Sequence, residues 1–156
     1  MKKVYVIYGD YCHPLETAIK SLENIFDNDE IILALLEANV PNITIFGKTW
    51  DLHVEEALKI TLEENLELIF DTISYLKKHV DKVFYDAEHF FDGFKANQEY
   101  ALKTIMTAKE AGADTVVLCE TNGGAMPEEI YNISKVVKNT FNDFPFGIHT
   151  HNDSEM

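Results

Sequence analysis

A chain of 156 residues, 46% hydrophobic and 26% charged, has room for one domain with a real core and offers no case for two. A formal net charge of −14 with no basic stripe argues against nucleic acid as a partner, because a phosphate backbone would be repelled. No apolar run is long enough to cross a bilayer, the N-terminus lacks the apolar stretch of a signal peptide, and Cys12 and Cys119 have neither metal nor disulfide spacing, so the expectation is a cytoplasmic chain with free thiols and no membrane partner.

Short β-branched or aromatic runs alternate with amphipathic ones along the chain. The first strand is expected over Val4 to Tyr8. Asp29 can cap a helix through Ala38, stopped near Asn39 and Pro41. A strand at Ile43 to Phe46 precedes a long helix from about Val54 to Lys78, with Leu58, Leu62, Leu66, Ile69, Ile73 and Leu76 at helical spacing. The third strand is Val83 to Tyr85. Asn97 then caps a helix from Glu99 to Ala111, which Gly112 closes. After the strand Thr115 to Cys119, Pro127 sits in the first turn of a helix reaching about Phe141, with Glu128 and Glu129 at its positive end. Phe146 to His149 forms the fifth strand.

That β-α order implies parallel strands joined by crossover helices, either a doubly wound open sheet or part of a (β/α)8 barrel. Polar, chemically capable residues follow every strand, whereas an open sheet gathers them at one switch point. The chain also ends soon after the fifth strand with no covering helix. The expected fold is α/β, a partial (β/α)8 TIM barrel of about five parallel strands.

His149-Thr150-His151 is the sharpest chemical signal. Residues i and i+2 of a strand share a side, so both imidazoles can converge on one divalent ion: Zn, Mn, Co or Fe, with a carboxylate to complete the set. Glu88 is a candidate acid/base at the end of the third strand, or simply the ion-pair partner of Lys48 or Lys95. His53 can orient a substrate carbonyl or merely begin a helix. Thr121 and Asn122 can hydrogen-bond a substrate carboxylate, and Gly123-Gly124 reads as a tight turn. Phe90, Phe91 and Phe94 read as packing. No nucleotide-binding glycine loop or nucleophile elbow is present.

Four stretches carry a family resemblance: Gly47-Lys48-Thr49-Trp50-Asp51-Leu52-His53-Val54, Asp86-Ala87-Glu88-His89-Phe90-Phe91-Asp92-Gly93, Leu118-Cys119-Glu120-Thr121-Asn122-Gly123-Gly124 and Gly147-Ile148-His149-Thr150-His151-Asn152-Asp153. In this order they closely resemble the citramalate synthase family, which groups with isopropylmalate and homocitrate synthases among metal-dependent acyl-transferring and carbon–carbon-cleaving barrels. The similarity runs from about Asn39 to the C-terminus.

The resemblance implies condensation of acetyl-CoA with a 2-oxo acid, pyruvate in the first instance, at a divalent metal (Zn, Mn, Mg or Co), with a homodimer for the full-length protein. It implies His149 and His151 as metal ligands with Asn152 near the metal, Glu88 and His53 as catalytic residues, and Thr121, beside Asn122, at the substrate carboxylate. Two departures stand out. Glu120 replaces an aspartate of most relatives, and the Arg-Asp-Gly strand that supplies a third ligand is missing from a chain without any arginine. Residues 1–156 are therefore expected to be an incomplete barrel segment spanning strands three to seven, inactive alone. A metal-dependent aldolase or lyase on the same barrel, and a non-catalytic half-barrel module, are the alternatives.

Overall fold

The computed structural model describes residues 30–151, so the expected first strand, Cys12, the Asp29 cap and Asn152 lie outside the described residues. In chain order the elements are α1 (Glu30–Glu37), β1 (Asn42–Lys48), α2 (Asp51–His53), a π-helical turn (Val54–Leu58), α3 (Leu62–Leu76), β2 (Lys82–Glu88), α4 (Phe90–Ala96), α5 (Gln98–Glu110), β3 (Thr115–Glu120), α6 (Pro127–Phe141) and β4 (Phe146–Thr150). The last four expected strands are all there, each somewhat longer than its apolar run.

All three strand pairings are parallel, and the spatial order is β1-β2-β3-β4. A doubly wound sheet reverses its order at a switch point; four strands laid down in sequence without reversal follow barrel winding. The described residues form a partial α/β barrel.

Burial alternates along β2, where Val83, Tyr85 and Ala87 are buried and Phe84, Asp86 and Glu88 are not. The buried set packs with Ile69, Ile73 and Leu76 of α3, Ala101, Ile105 and Ala108 of α5, and Ile133 and Val137 of α6. Register carries the opposite set across the sheet. Lys48 lies beside Glu88, Phe46 beside Asp86, Asp86 beside Val117, and Cys119 beside His149. One face is thus a helix-covered core, and the other collects the polar residues at the C-terminal ends of the strands.

The helix starts follow their chemistry. Asn97 Oδ1 accepts the Tyr100 N–H at 3.1 Å and opens α5, and Gly112, at φ +99°, follows it. Pro127 takes the first turn of α6. The expected continuous helix from Val54 to Lys78 is the main correction. Lys59 turns left-handed at φ 58°, ending the π-helical turn, and Thr61 starts α3 afresh with a capping box. Thr61 Oγ1 accepts from Glu64 N at 3.2 Å while Glu64 Oε2 accepts from Thr61 N at 2.7 Å. Leu58 accordingly falls outside the buried stripe, and Val54 packs with Leu66 and Tyr100 in a small separate cluster.

At the other end of the strands, Asp114 Oδ2 accepts from Lys77 Nζ and from Val83 N, each at 2.8 Å, tying α3 to β2. Among the described residues no helix is long and apolar enough to cross a membrane.

Candidate active site

The C-terminal end of β1 meets that of β2 through Lys48 and Glu88, whose side chains form an ion pair. Their backbones are locked as well. Thr49, fully buried, donates from Oγ1 to the Glu88 carbonyl at 2.6 Å, and its N–H reaches the same oxygen at 3.3 Å. Asn65 of α3 donates to the Lys48 carbonyl at 2.9 Å and to the Tyr100 hydroxyl at 2.8 Å. Glu88 therefore takes Lys48 as its partner, while Lys95 reaches Glu129 instead at 3.5 Å.

On the same face, burial raises the Asp86 carboxyl above its usual range, with the His149 charge opposing. Cys119, in register with His149, is buried, and burial followed by the Asp86 and Glu88 charges pushes its thiol up to about 12. It is an inert core thiol.

His149 and His151 stand exposed at the end of β4, their ring centroids 5.2 Å apart. Two imidazole nitrogens each about 2.1 Å from one ion at a tetrahedral angle would place the ring centroids about 5 Å apart, close to the spacing of this pair. Among the described residues no group of three His, Cys, Asp or Glu has metal-holding geometry.

A second cluster lies over β1 and β2. The rings of Trp50, His53 and His89 meet one another, Trp50 to His53 at 4.7 Å and His53 to His89 edge-to-face at 4.5 Å between centroids. Burial lowers the His53 pKa, helped by charge on His89 and Lys48 and opposed by Glu88 and Asp92. A neutral imidazole results at neutral pH, able to donate from one nitrogen and accept at the other.

His89 adopts the left-handed conformation at φ 53° just before α4. Its backbone N–H donates to Thr121 Oγ1 at 3.0 Å, which leaves the threonine O–H free to point elsewhere. Its ring Nδ1 lies 3.0 Å from Asp92 Oδ2, the oxygen that also accepts from Asn122 Nδ2 at 3.0 Å. Because a carboxylate only accepts, Nδ1 carries the hydrogen.

Glu120, the departure from the family pattern, points away from this face. It is 3% exposed, and its Oε1 accepts from Gly124 N at 3.2 Å and Ala125 N at 3.3 Å. The longer carboxylate closes the turn in which Gly123 sits at φ +67°. It leaves Thr121 to β2. Phe90 and Phe91 are fully buried, as packing residues should be.

Of the sequence-derived candidates, Glu88, His53 and Thr121 come together around the ends of β1, β2 and β3. Asn122 reaches them through Asp92, and His149 and His151 occupy the adjacent strand end. Sequence reasoning gave no role to His89 and Asp92, although a spacing of three across a helix start is a readable pairing signal.

Parallel strands wound in sequence, with paired histidines and carboxylates at their C-terminal ends, define a barrel class to which a family model also assigns the chain. It belongs to the HMGL-like family, whose model matches residues 16–156. Within that family it is similar to the (R)-citramalate synthase of Aquifex aeolicus, at 59% identity over 127 residues, 81% of this chain and 24% of the relative. The (R)-citramalate synthase of Geobacter sulfurreducens matches at 59% over 129 residues, 83% of this chain and 24% of that protein. A 2-isopropylmalate synthase of Sulfolobus acidocaldarius is 37% identical over 119 residues, 76% of this chain and 30% of its own. The chain spans about a quarter of the length of the curated citramalate synthases it matches.

Proposed function

We propose that these residues are the middle of the catalytic barrel of an acyltransferase that condenses acetyl-CoA with a 2-oxo acid, pyruvate first among them, in the cytoplasm and as a homodimer when full-length. What carries the reading is the placement of Glu88, Thr121, His149 and His151 at one end of one sheet, in a chain 59% identical to citramalate synthases. His149 and His151 are the residues that would hold a divalent ion. The chemistry such an ion would supply is Lewis-acid polarisation of the 2-oxo carbonyl.

The chain's own groups supply the rest. Thr121 has its oxygen engaged by the His89 N–H, so its O–H is the part left to donate to the 2-oxo acid's carboxylate. Asn122 is exposed and already donates to Asp92, which makes it the support of that contact more than its equal. Neutral His53 can donate to a carbonyl oxygen. Glu88 is placed to take a proton, with the Lys48 ammonium balancing its charge. Loss of a proton from the acetyl methyl gives an enolate that attacks the keto carbon, and hydrolysis of the thioester releases CoA.

The test is a chimera in which residues 39–151 replace the matching segment of the Aquifex aeolicus enzyme, assayed for free CoA with acetyl-CoA and pyruvate. The chimera is expected to release CoA, and His149→Ala within it to reduce kcat/KM at least 100-fold, on the order of a lost catalytic group. A folded chimera that releases no CoA but cleaves a carbon–carbon bond would move the assignment to a lyase.

A further inference from the structure

We propose that His89 is a positioning residue for this site, its ring clamped by Asp92 and its backbone N–H holding Thr121, so that the corner between β2 and α4 sets His53 and Thr121 in place together. The inference rests on the reading above, in which both of those side chains face the substrate.

Three observations meet at this residue. The left-handed turn at φ 53°, ψ 33° is uncommon for a residue with a side chain, and it lets the backbone reach β3's end while the ring folds onto the first turn of α4. The ring is only 15% exposed and Asp92 only 14%, so the clamp works largely out of water. The imidazole then meets the His53 ring edge-to-face at 4.5 Å. Asp92 thus fixes one tautomer and one orientation of His89 and, through Asn122, ties the loop after β3 to the same point. The groups that act on His53 are His89 at the corner, Lys48 of β1, Glu88 of β2 and Asp92 of α4. An ion pair that only stabilised the start of α4 would fix the same His89 tautomer but would leave the His53 titration untouched.

The experiment is nitrogen-15 NMR of the imidazoles in the 156-residue chain, with circular dichroism as the folding control. At about pH 8.5, two units above the ordinary imidazole value, His89 is expected to carry its hydrogen on Nδ1. A dominant Nε2–H form in the wild-type chain overturns the proposal without any variant. In His89→Gln the His53 midpoint is expected to rise, because the variant removes the neighbouring His89 charge that lowers it. An unmoved midpoint in the folded variant overturns it too. If His89→Gln does not fold, Asp92→Ala asks the same question, with a shift of the His89 ring toward Nε2–H expected and an unchanged tautomer counting against. None of these readouts depends on turnover, so the functional reading fails separately, in the chimera.

Discussion

Gly93 sits where α4 presses on the chain leaving β1. A Cβ added there would lie 2.5 Å from the Thr49 carbonyl oxygen and 2.9 Å from Trp50 Cα. Neither atom can easily move, because Thr49 is bound twice to Glu88. Two effects oppose each other in Gly93→Ala. Helix propensity favours alanine by about 1 kcal/mol, while overpacking against fixed backbone costs about 1–3 kcal/mol. The clash is with backbone, which puts the cost at the upper end of that range, and the urea midpoint should fall by a net equivalent of up to ~2 kcal/mol. Gly147→Ala is the control, since its Cβ would meet only Val117 Cγ2 at 3.9 Å; equal loss in both variants would contradict the argument. The same corner shows what residue types alone reveal. Glu88 and His53 could be named from their motifs, but the choice between Lys48 and Lys95 as partner of Glu88 depends on strand register over 40 positions, which local pattern does not encode. The contact of His89 with Thr121 runs through a backbone N–H, which residue type does not reveal.

The interrupted helix between His53 and Leu62 is the element-scale counterpart. Apolar spacing at Leu58, Leu62 and Leu66 satisfies the helical period straight through the break, so periodicity reads one helix. A contrary signal was present in Thr61-Leu62-Glu63-Glu64, which has the capping-box pattern, and the structure uses it. Capping chemistry outweighs hydrophobic period here because a left-handed Lys59 turns the chain away and Val54 finds its own small core with Tyr100. Thr61→Ala separates the two descriptions by sign. In a continuous helix alanine would stabilise by a few tenths of a kcal/mol; at a true N-cap it removes the acceptor for Glu64 N and costs about 1 kcal/mol. A lower denaturation midpoint is expected, and a higher one would restore the single helix. Elsewhere cap and period agree, as at Asn97 and Pro127, and there the expected and observed helices begin within two residues of each other.

At the scale of the whole molecule the question is what covers the second face of the sheet. Parallel sheets are stable when both faces are buried, and in a closed barrel the inner face packs against itself. Here Phe46, Phe84 and Val117 lie on that face and are only half-buried, while on the helix side of β4 Ile148 is 47% exposed. Among the described residues β1 and β4 each have one unpaired edge. Apolar surface and free edges favour association; a net charge of −14 opposes it. The balance depends on screening, because the Debye length shrinks from about 30 Å at 0.01 M salt to about 3 Å at 1 M while the apolar term persists. The isolated chain is therefore expected to be mainly monomeric at low salt and to form dimers or larger species as salt rises, seen by sedimentation velocity. Ile148→Lys, which adds a charge to the exposed edge strand, should reduce that association at high salt without unfolding the chain. Were the apolar face and edges already satisfied within one molecule, the sedimentation coefficient would stay constant across the salt series and the variant would change nothing.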